Sequence, residues 1–339
     1  MELFSLTRQL IDIESITGNE KKVADFLGRY LDTLGAEVTL EEAAPDRPNV
    51  VALWGVPEIV LSTHLDTVPP FFPSREDGEF IHGRGACDAK GIIAAQVEAA
   101  SRLCAAGVGG FGLLFVVGEE RNSAGALAAN KHPRGSRYLI DGEPTENKLA
   151  VGTKGVLRLE LTASGQMAHS AYPELGESAI EKLLEALHRL KELELPEDKV
   201  LGKTTCNIGV IEGGRAPNVI PDFARAELMY RLVKPGEELA GAVQRTVGDL
   251  VTVKKVLYLS PVKLCSMDDL ETSVVSFATD IPSLNAWGQP FLIGPGSIHV
   301  AHTEHERVSK VELLQAAEIY FKMVIKLKDK SKSVGKGSE

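Results

Sequence analysis

A three-layer α/β domain with a mainly parallel sheet, carrying an inserted βαββαβ (ferredoxin-like) domain, is the architecture predicted by this sequence of 339 residues. Three observations point to it. Up to about residue 150, short apolar strands alternate with helical patterns, the rhythm of a parallel sheet covered on both faces. After Gly155 the order becomes strand, helix, strand, strand, helix, strand, the split-βαβ signature. Finally, three strands of that first region and a fourth near residue 290 lead into His, Asp or Glu, and ligands of open α/β sheets sit beyond the carboxyl ends of the strands. The length also exceeds what a single core usually serves.

The elements follow in order. Leu3, Leu6, Leu10 and Ile11 give one helical face, and Val23, Phe26, Leu27, Tyr30, Leu31 and Leu34 a second, closed by Gly35. Strands are expected at 49–54 and 59–62, and a helix from 89 to 107. A strand at 113–117, a helix at 124–130 and a strand at 138–140 complete the first run. In the insert, VLRLELTA alternates like a half-exposed strand and 178–193 is an amphipathic helix. TCNIGVIEGG and ARAELMYRL follow as strands, 236–250 as a helix and VKKVLYLS as the last strand. A helix at 270–279, a strand at 290–293 and a helix at 310–327 return to the first domain. The tail KDKSKSVGKGSE, charged and rich in Gly and Ser, is expected to be disordered. The domains thus read 1–154, 155–262, 263–327 and a tail, 328–339.

Composition excludes several classes. No apolar run approaches the roughly 20 residues that cross a bilayer. The formal net charge of −10 disfavours non-specific nucleic-acid binding, which needs a basic surface. The first residues, MELFSLTRQLIDIES, lack the basic, apolar and small-residue regions of a signal peptide. Cys87, Cys104, Cys206 and Cys265 are scattered without a CxxC pair, so zinc ribbons and disulfide frameworks are not expected and a reducing cytoplasm is.

The chemistry lies in five short segments. EIVLSTHLD ends a buried strand in His64 and Asp66, two apart and able to face one side. Either Asp66 orients a ligating His64 through its other ring nitrogen, or it is a turn residue. In GRGACDAKG, Asp88 precedes a helix. It can be that helix's N-cap, or a carboxylate bridging two cations where glycines let the backbone approach. Glu119 and Glu120 follow an apolar strand. Adjacent carboxylates there repel unless a cation or proton lies between them, so one can bind metal and the other act as a base. The alternative is an ordinary acidic loop. RYLIDGEPT delivers Asp141 and Glu143 from another strand. AHTEHE carries His302 and His305, with His299 three residues earlier, as either a zinc-binding loop or polar surface.

In their order, HLDTVP, GRGACDAKG, GEE, DGEPT and AHTEHE resemble the dinuclear zinc aminoacylase and carboxypeptidase family, over nearly the whole chain. That family includes acetylornithine and acetyl-lysine deacetylases, a desuccinylase and several dipeptidases. The resemblance implies that His64 and Glu143 bind one metal, Glu120 and His302 the other, and that Asp88 bridges them and precedes a cis peptide. It implies Asp66 orienting His64, Glu119 as general base, and two Zn2+ as cofactors, with Co2+ or Mn2+ as substitutes. GQMAHSAYPELGESAI resembles the lid segment whose histidine, here His169, reaches the partner subunit's site; without the resemblance it reads as a loop residue. Asn218 of NVIPD then lies near the substrate. Arg231 pairs with the substrate carboxylate or, equally, serves the surface. Two departures are a compact chain and GEE in place of Asp-Glu-Glu, which leaves Gly118 where a carboxylate often stands.

The resemblance therefore implies a cytoplasmic homodimer, joined through the inserted lid and dimerisation domain. It would remove the acyl group from an N-acyl amino acid, of N-acetylornithine or N-acetyl-lysine type, in arginine or lysine biosynthesis. A dipeptidase or aminoacyl-carboxypeptidase with the same site is the alternative. A non-catalytic amino-acid-binding protein is a third reading, whose expected sign, a decayed ligand set, is absent.

Overall fold

The computed structural model describes residues 2–335. The chain forms two compact units. One contains the chain up to Val151, Leu264–Ser273 and the residues from Thr279 onward; the other contains Gly152–Lys263 and Val274–Ala278.

The first unit is built on a mixed sheet whose strands, named by first residue, run in the order Glu37, Arg47, Phe111, Ile59, Tyr138, Gln289, Leu149. The parallel character expected from the sequence holds for the central four, Phe111–Val116, Ile59–His64, Tyr138–Asp141 and Gln289–Leu292. The flanking strands pair antiparallel. Ile59–His64 and Phe111–Val116 are buried at every residue, as strands covered on both faces must be. Side chains alternate between the two faces. Ile59, Leu61, Leu113 and Phe115 join a core with the helices Leu3–Asp12, Lys21–Thr33, Lys90–Ala105 and the buried part of Lys310–Gly335. Val60, Leu114 and Val116 meet the short helix Ala124–Ala129 and Leu284 and Trp287 on the other. This is a three-layer arrangement.

Two expectations are corrected. Within 270–279, expected as a helix, lies the strand Thr272–Val275. Its run of Thr, Ser and two Val suits a pleated strand better than a helix. The last helix runs from Lys310 to Gly335, past the end at residue 327 read from the sequence. No glycine or proline interrupts it before Gly335, and lysine is a good helix former. Residues 336–339 of the expected tail lie outside the described residues.

The second unit has a four-stranded antiparallel sheet, ordered Thr205, Phe223, Gly155, Thr252 by first residue. The helices Ala179–Lys191 and Gly236–Val247 pack on one face. Along Phe223–Leu232 burial alternates, so Ala224, Ala226, Leu228, Tyr230 and Leu232 enter the core. The opposite face carries ion pairs of Arg158 with Glu227 and of Arg225 with Glu160 and Glu212. Ser178 caps the first helix by accepting from the Glu181 N–H. Among the described residues no helix is long and apolar enough to cross a membrane.

Candidate metal centre

Parallel pairing brings the polar strand ends together. His64 stands opposite Val116, and Ser62 opposite Asp141, so three adjacent strands finish on one edge. His64 is the last residue of its strand, Glu119 and Glu120 follow Phe111–Val116, and Glu143 lies just beyond Tyr138–Asp141. Asp88 arrives on the loop ahead of Lys90–Ala105. His302 lies on the loop after Gln289–Leu292, with a φ of 63°. A left-handed conformation is costly for a bulky side chain.

Asp88 is the centre of this cluster. It is 6 % exposed, and the peptide that follows it is cis. The Nε2 of His64 lies 2.9 Å from Asp88 Oδ1, and the Nε2 of His302 lies 3.2 Å from Asp88 Oδ2. His302 Nε2 is also 3.0 Å from Glu120 Oε1. The helix that follows takes Ala89 as its N-cap, with no side-chain capping bond, so Asp88 is not a cap. His299 and His305 are exposed and belong to neither donor group, so the histidine loop makes no site by itself.

The donor atoms of His64, Asp88 and Glu143 lie within 4.8 Å of one another, and so do those of Asp88, Glu120 and His302. Asp88 belongs to both groups. Nitrogen and carboxylate donors in this ratio suit zinc, cobalt or manganese. Electrostatics make the same case. Burial, then the carboxylates of Glu119 and Asp88, push Glu143 well above the usual carboxyl range. Burial resists ionisation of Asp88, yet hydrogen bonds with His302 and His64 hold it below that range. Those same acidic partners, Asp88 and Glu120, push His302 up to about 10. Such packed anions need compensating positive charge. The residues present fit a pair of divalent cations.

Glu119 stands in neither donor group. Burial raises it well above the ordinary value, with His64 opposing and Asp280, Glu120 and Asp88 adding to the rise.

Asp66 does more than the sequence suggested. The His64 Nδ1 lies 3.0 Å from the Asp66 backbone carbonyl and 3.6 Å from its carboxylate. The carboxylate itself accepts the backbone N–H groups of Gly118, Glu119 and Glu120. It also accepts the Thr17 hydroxyl at 2.8 Å.

The other three expected residues belong to the second unit. His169 and Asn218 sit on adjacent backbones: His169 bridges Val219, and the Ser170 N–H donates to the Asn218 carbonyl. Both are exposed, and the His169 Nδ1 accepts the Ala171 N–H. Arg231 is half-buried on the strand Phe223–Leu232, and that burial lowers its pKa.

Sequence reasoning passed over Glu306, Arg84 and Asp280, all buried near these segments. Burial raises the Asp280 carboxyl to about 6. Arg84 and Glu306 both lie inside quoted motifs, and a charged residue within a glycine-dense or ligand-bearing motif was the available signal.

Residues 151–255 match the family model M20_dimer, described as a peptidase dimerisation domain. A peptidase M20 domain-containing protein of Schizosaccharomyces pombe is 41 % identical over 336 residues, spanning 95 % of this chain and 84 % of its own. A probable carboxypeptidase of Aspergillus clavatus is 38 % identical over 369 residues, spanning 95 % of this chain and 82 % of its own. The crystal structure of a tripeptidase from Staphylococcus aureus superposes with a TM-score of 0.80 at 24 % identity. It covers 94 % of this chain and 96 % of its own, a likeness of fold.

Proposed function

This chain belongs to the M20 peptidase family, hydrolases of peptide and amide bonds, and we propose that it removes the acyl group from an N-acyl amino acid of the acetylornithine or acetyl-lysine type. The observation that carries a two-metal mechanism is Asp88, shared between two three-residue donor groups, with a base-type carboxylate that belongs to neither beside them. His64 and Glu143 would hold one cation, Glu120 and His302 the other, and Asp88 both.

A divalent pair of this kind supplies a Lewis acid for the amide carbonyl and lowers the pKa of water. Glu119 accepts the proton of the attacking water and delivers it to the leaving amine nitrogen. Asp66 fixes the turn from which Glu119 and Glu120 project. His169 donates to the oxyanion of the tetrahedral intermediate from a partner subunit. Asn218 and Arg231 receive the substrate, the guanidinium pairing with the carboxylate of the amino acid. The enzyme would work as a cytoplasmic homodimer on small molecules, with zinc as the first choice of metal and cobalt or manganese as substitutes.

Cleavage of a small peptide next to its free carboxylate is the second reading. It is favoured by the carboxypeptidase and tripeptidase names of the similar proteins. Parallel turnover measurements on acetylornithine, acetyl-lysine and a panel of di- and tripeptides decide between them. Faster turnover of the peptides would overturn the deacylation reading. For the mechanism, Glu119→Gln is expected to lower kcat by about 100-fold or more with metal content unchanged. Should Glu119→Gln lose metal while Glu120→Gln keeps it, the two roles are exchanged.

A further inference from the structure

The two donor groups are supported differently. His64 is 1 % exposed at the end of a fully buried strand, and Glu143 lies just past the neighbouring strand. Their positions are set by the sheet. The His302 side chain is 48 % exposed on a loop, and Asp88 also sits on a loop. Something must hold those two loops at a fixed separation, because a carboxylate that bridges two cations tolerates little displacement.

Glu306, four residues after His302, spans that gap. Its side chain and that of Arg84 are 1 % and 2 % exposed and form an ion pair at 2.6 Å. Arg84 is clamped in turn: its Nε donates to the Pro70 carbonyl at 3.2 Å, and its guanidinium lies 4.8 Å from the centre of the Phe72 ring. The other oxygen of Glu306 accepts the backbone N–H groups of Cys87 at 3.4 Å and Asp88 at 3.3 Å. The Gly83 N–H donates to the Glu306 carbonyl at 3.2 Å. Glu306 therefore joins the start and the end of the Asp88 loop to the loop that carries His302.

We propose that Glu306, clamped by Arg84, is a positioning residue that fixes Asp88 against His302 and so governs binding of the second cation, the one held by Asp88, Glu120 and His302. This rests on the two-cation reading of the site. A buried ion pair by itself argues little for stability, since apolar replacements of similar volume are often as stable. The backbone contacts at Asp88 give this pair a role that an apolar replacement cannot fill.

The test is a calorimetric titration of chelator-treated protein with Zn2+, alongside thermal melting. Arg84→Met/Glu306→Leu leaves no charge unpaired but removes the acceptor for the Asp88 N–H. It is expected to bind the second ion about 10- to 100-fold more weakly, and the first, which His64 and Glu143 also hold from the sheet, with a smaller loss. Arg84→Met/Glu306→Gln keeps a carbonyl acceptor at the same reach, and its second affinity should stay within about 3-fold of wild type. The proposal is overturned if the Leu variant binds both ions normally, or if it loses both in parallel with a lowered melting temperature. It is likewise overturned if the Gln variant, folded, loses the second ion as fully as the Leu variant. A wild type that takes up only one ion would instead sink the two-cation reading itself.

Discussion

A single carboxylate, that of Asp66, organises the backbone of the glutamate pair. Three consecutive backbone N–H groups, from Gly118 to Glu120, converge on it, and a hydroxyl from Thr17 completes its acceptor sites. Consecutive N–H groups can point at one acceptor only if the chain turns tightly there, and Gly118 allows it with a φ of 82°. The turn sends Glu120 toward His302 and leaves Glu119 outside either donor group. Burial works against the Asp66 charge, but the His64 ring, then Thr17 and the Glu120 N–H, hold its carboxyl below the ordinary value. Its share of stability is therefore present above the ordinary carboxylate range and lost as pH falls through the lowered value. Asp66→Ala strands these donors at roughly 1–3 kcal/mol each, so an overall loss of about 3 kcal/mol or more is expected. Activity should fall with it, because Glu119 and Glu120 move together. Asp66→Asn keeps one acceptor oxygen and should fall between. Urea unfolding checks this, and an unchanged midpoint for the alanine variant would remove Asp66 from this role.

At the scale of elements, the glutamate turn is held from behind by the short helix Ala124–Ala129, which runs very close to the end of Phe111–Val116. Gly125 donates its N–H to the Val117 carbonyl at 2.8 Å. Asn49, on the next strand, links both: its amide nitrogen donates to the Gly125 carbonyl, and its amide oxygen accepts the Val117 N–H. A side chain at Gly125 would meet the Val117 backbone and the Asn49 amide oxygen well inside van der Waals contact. Gly125→Ala is expected to destabilise by about 1–3 kcal/mol through overpacking, and to lower kcat because the displaced helix carries the turn. Equal stability by thermal melting would show that the helix yields without cost. None of this was legible in the sequence, where Asn49 marked only a strand start and 124–130 a nondescript helix. The ligand-type residues were legible, since His64, Asp88, Glu120, Glu143 and His302 each stand in a recognisable segment. The gap arises because Asn49 acts on Val117 across 68 positions and Arg84 on Glu306 across 222. Strand direction has the same character. The antiparallel pairing of Arg47–Trp54 with Phe111–Val116 depends on a neighbour that local patterning does not specify. Conversely, Thr272–Val275 was locally legible through its β-branched residues, and the helical reading gave them too little weight.

At the scale of the whole molecule, the second unit leaves an edge to be covered. Thr205–Gly213 pairs with Phe223–Leu232 on one side only, and most of it is exposed, including Ile211 at 57 %. An exposed edge of this length is a template for another strand, and the segment matches a peptidase dimerisation domain. Two-fold pairing of such edges gives every chain an equivalent partner surface. If His169 serves the partner's site, each active site draws its base from one chain and its oxyanion donor from the other. His169→Ala alone should then lower kcat by about 100- to 1000-fold, the range for losing an oxyanion donor, and Glu119→Gln alone is already expected to be nearly inactive. Mixing the two variants makes the decisive case. In a mixed dimer, the His169→Ala chain keeps Glu119 and receives an intact histidine from its partner, while the other site lacks both groups. With free subunit exchange, half the dimers are mixed and half their sites are complete, so about a quarter of wild-type activity should return. No recovery, in mixtures shown by mass spectrometry to contain mixed dimers, would mean that His169 acts within its own chain or takes no part in the reaction.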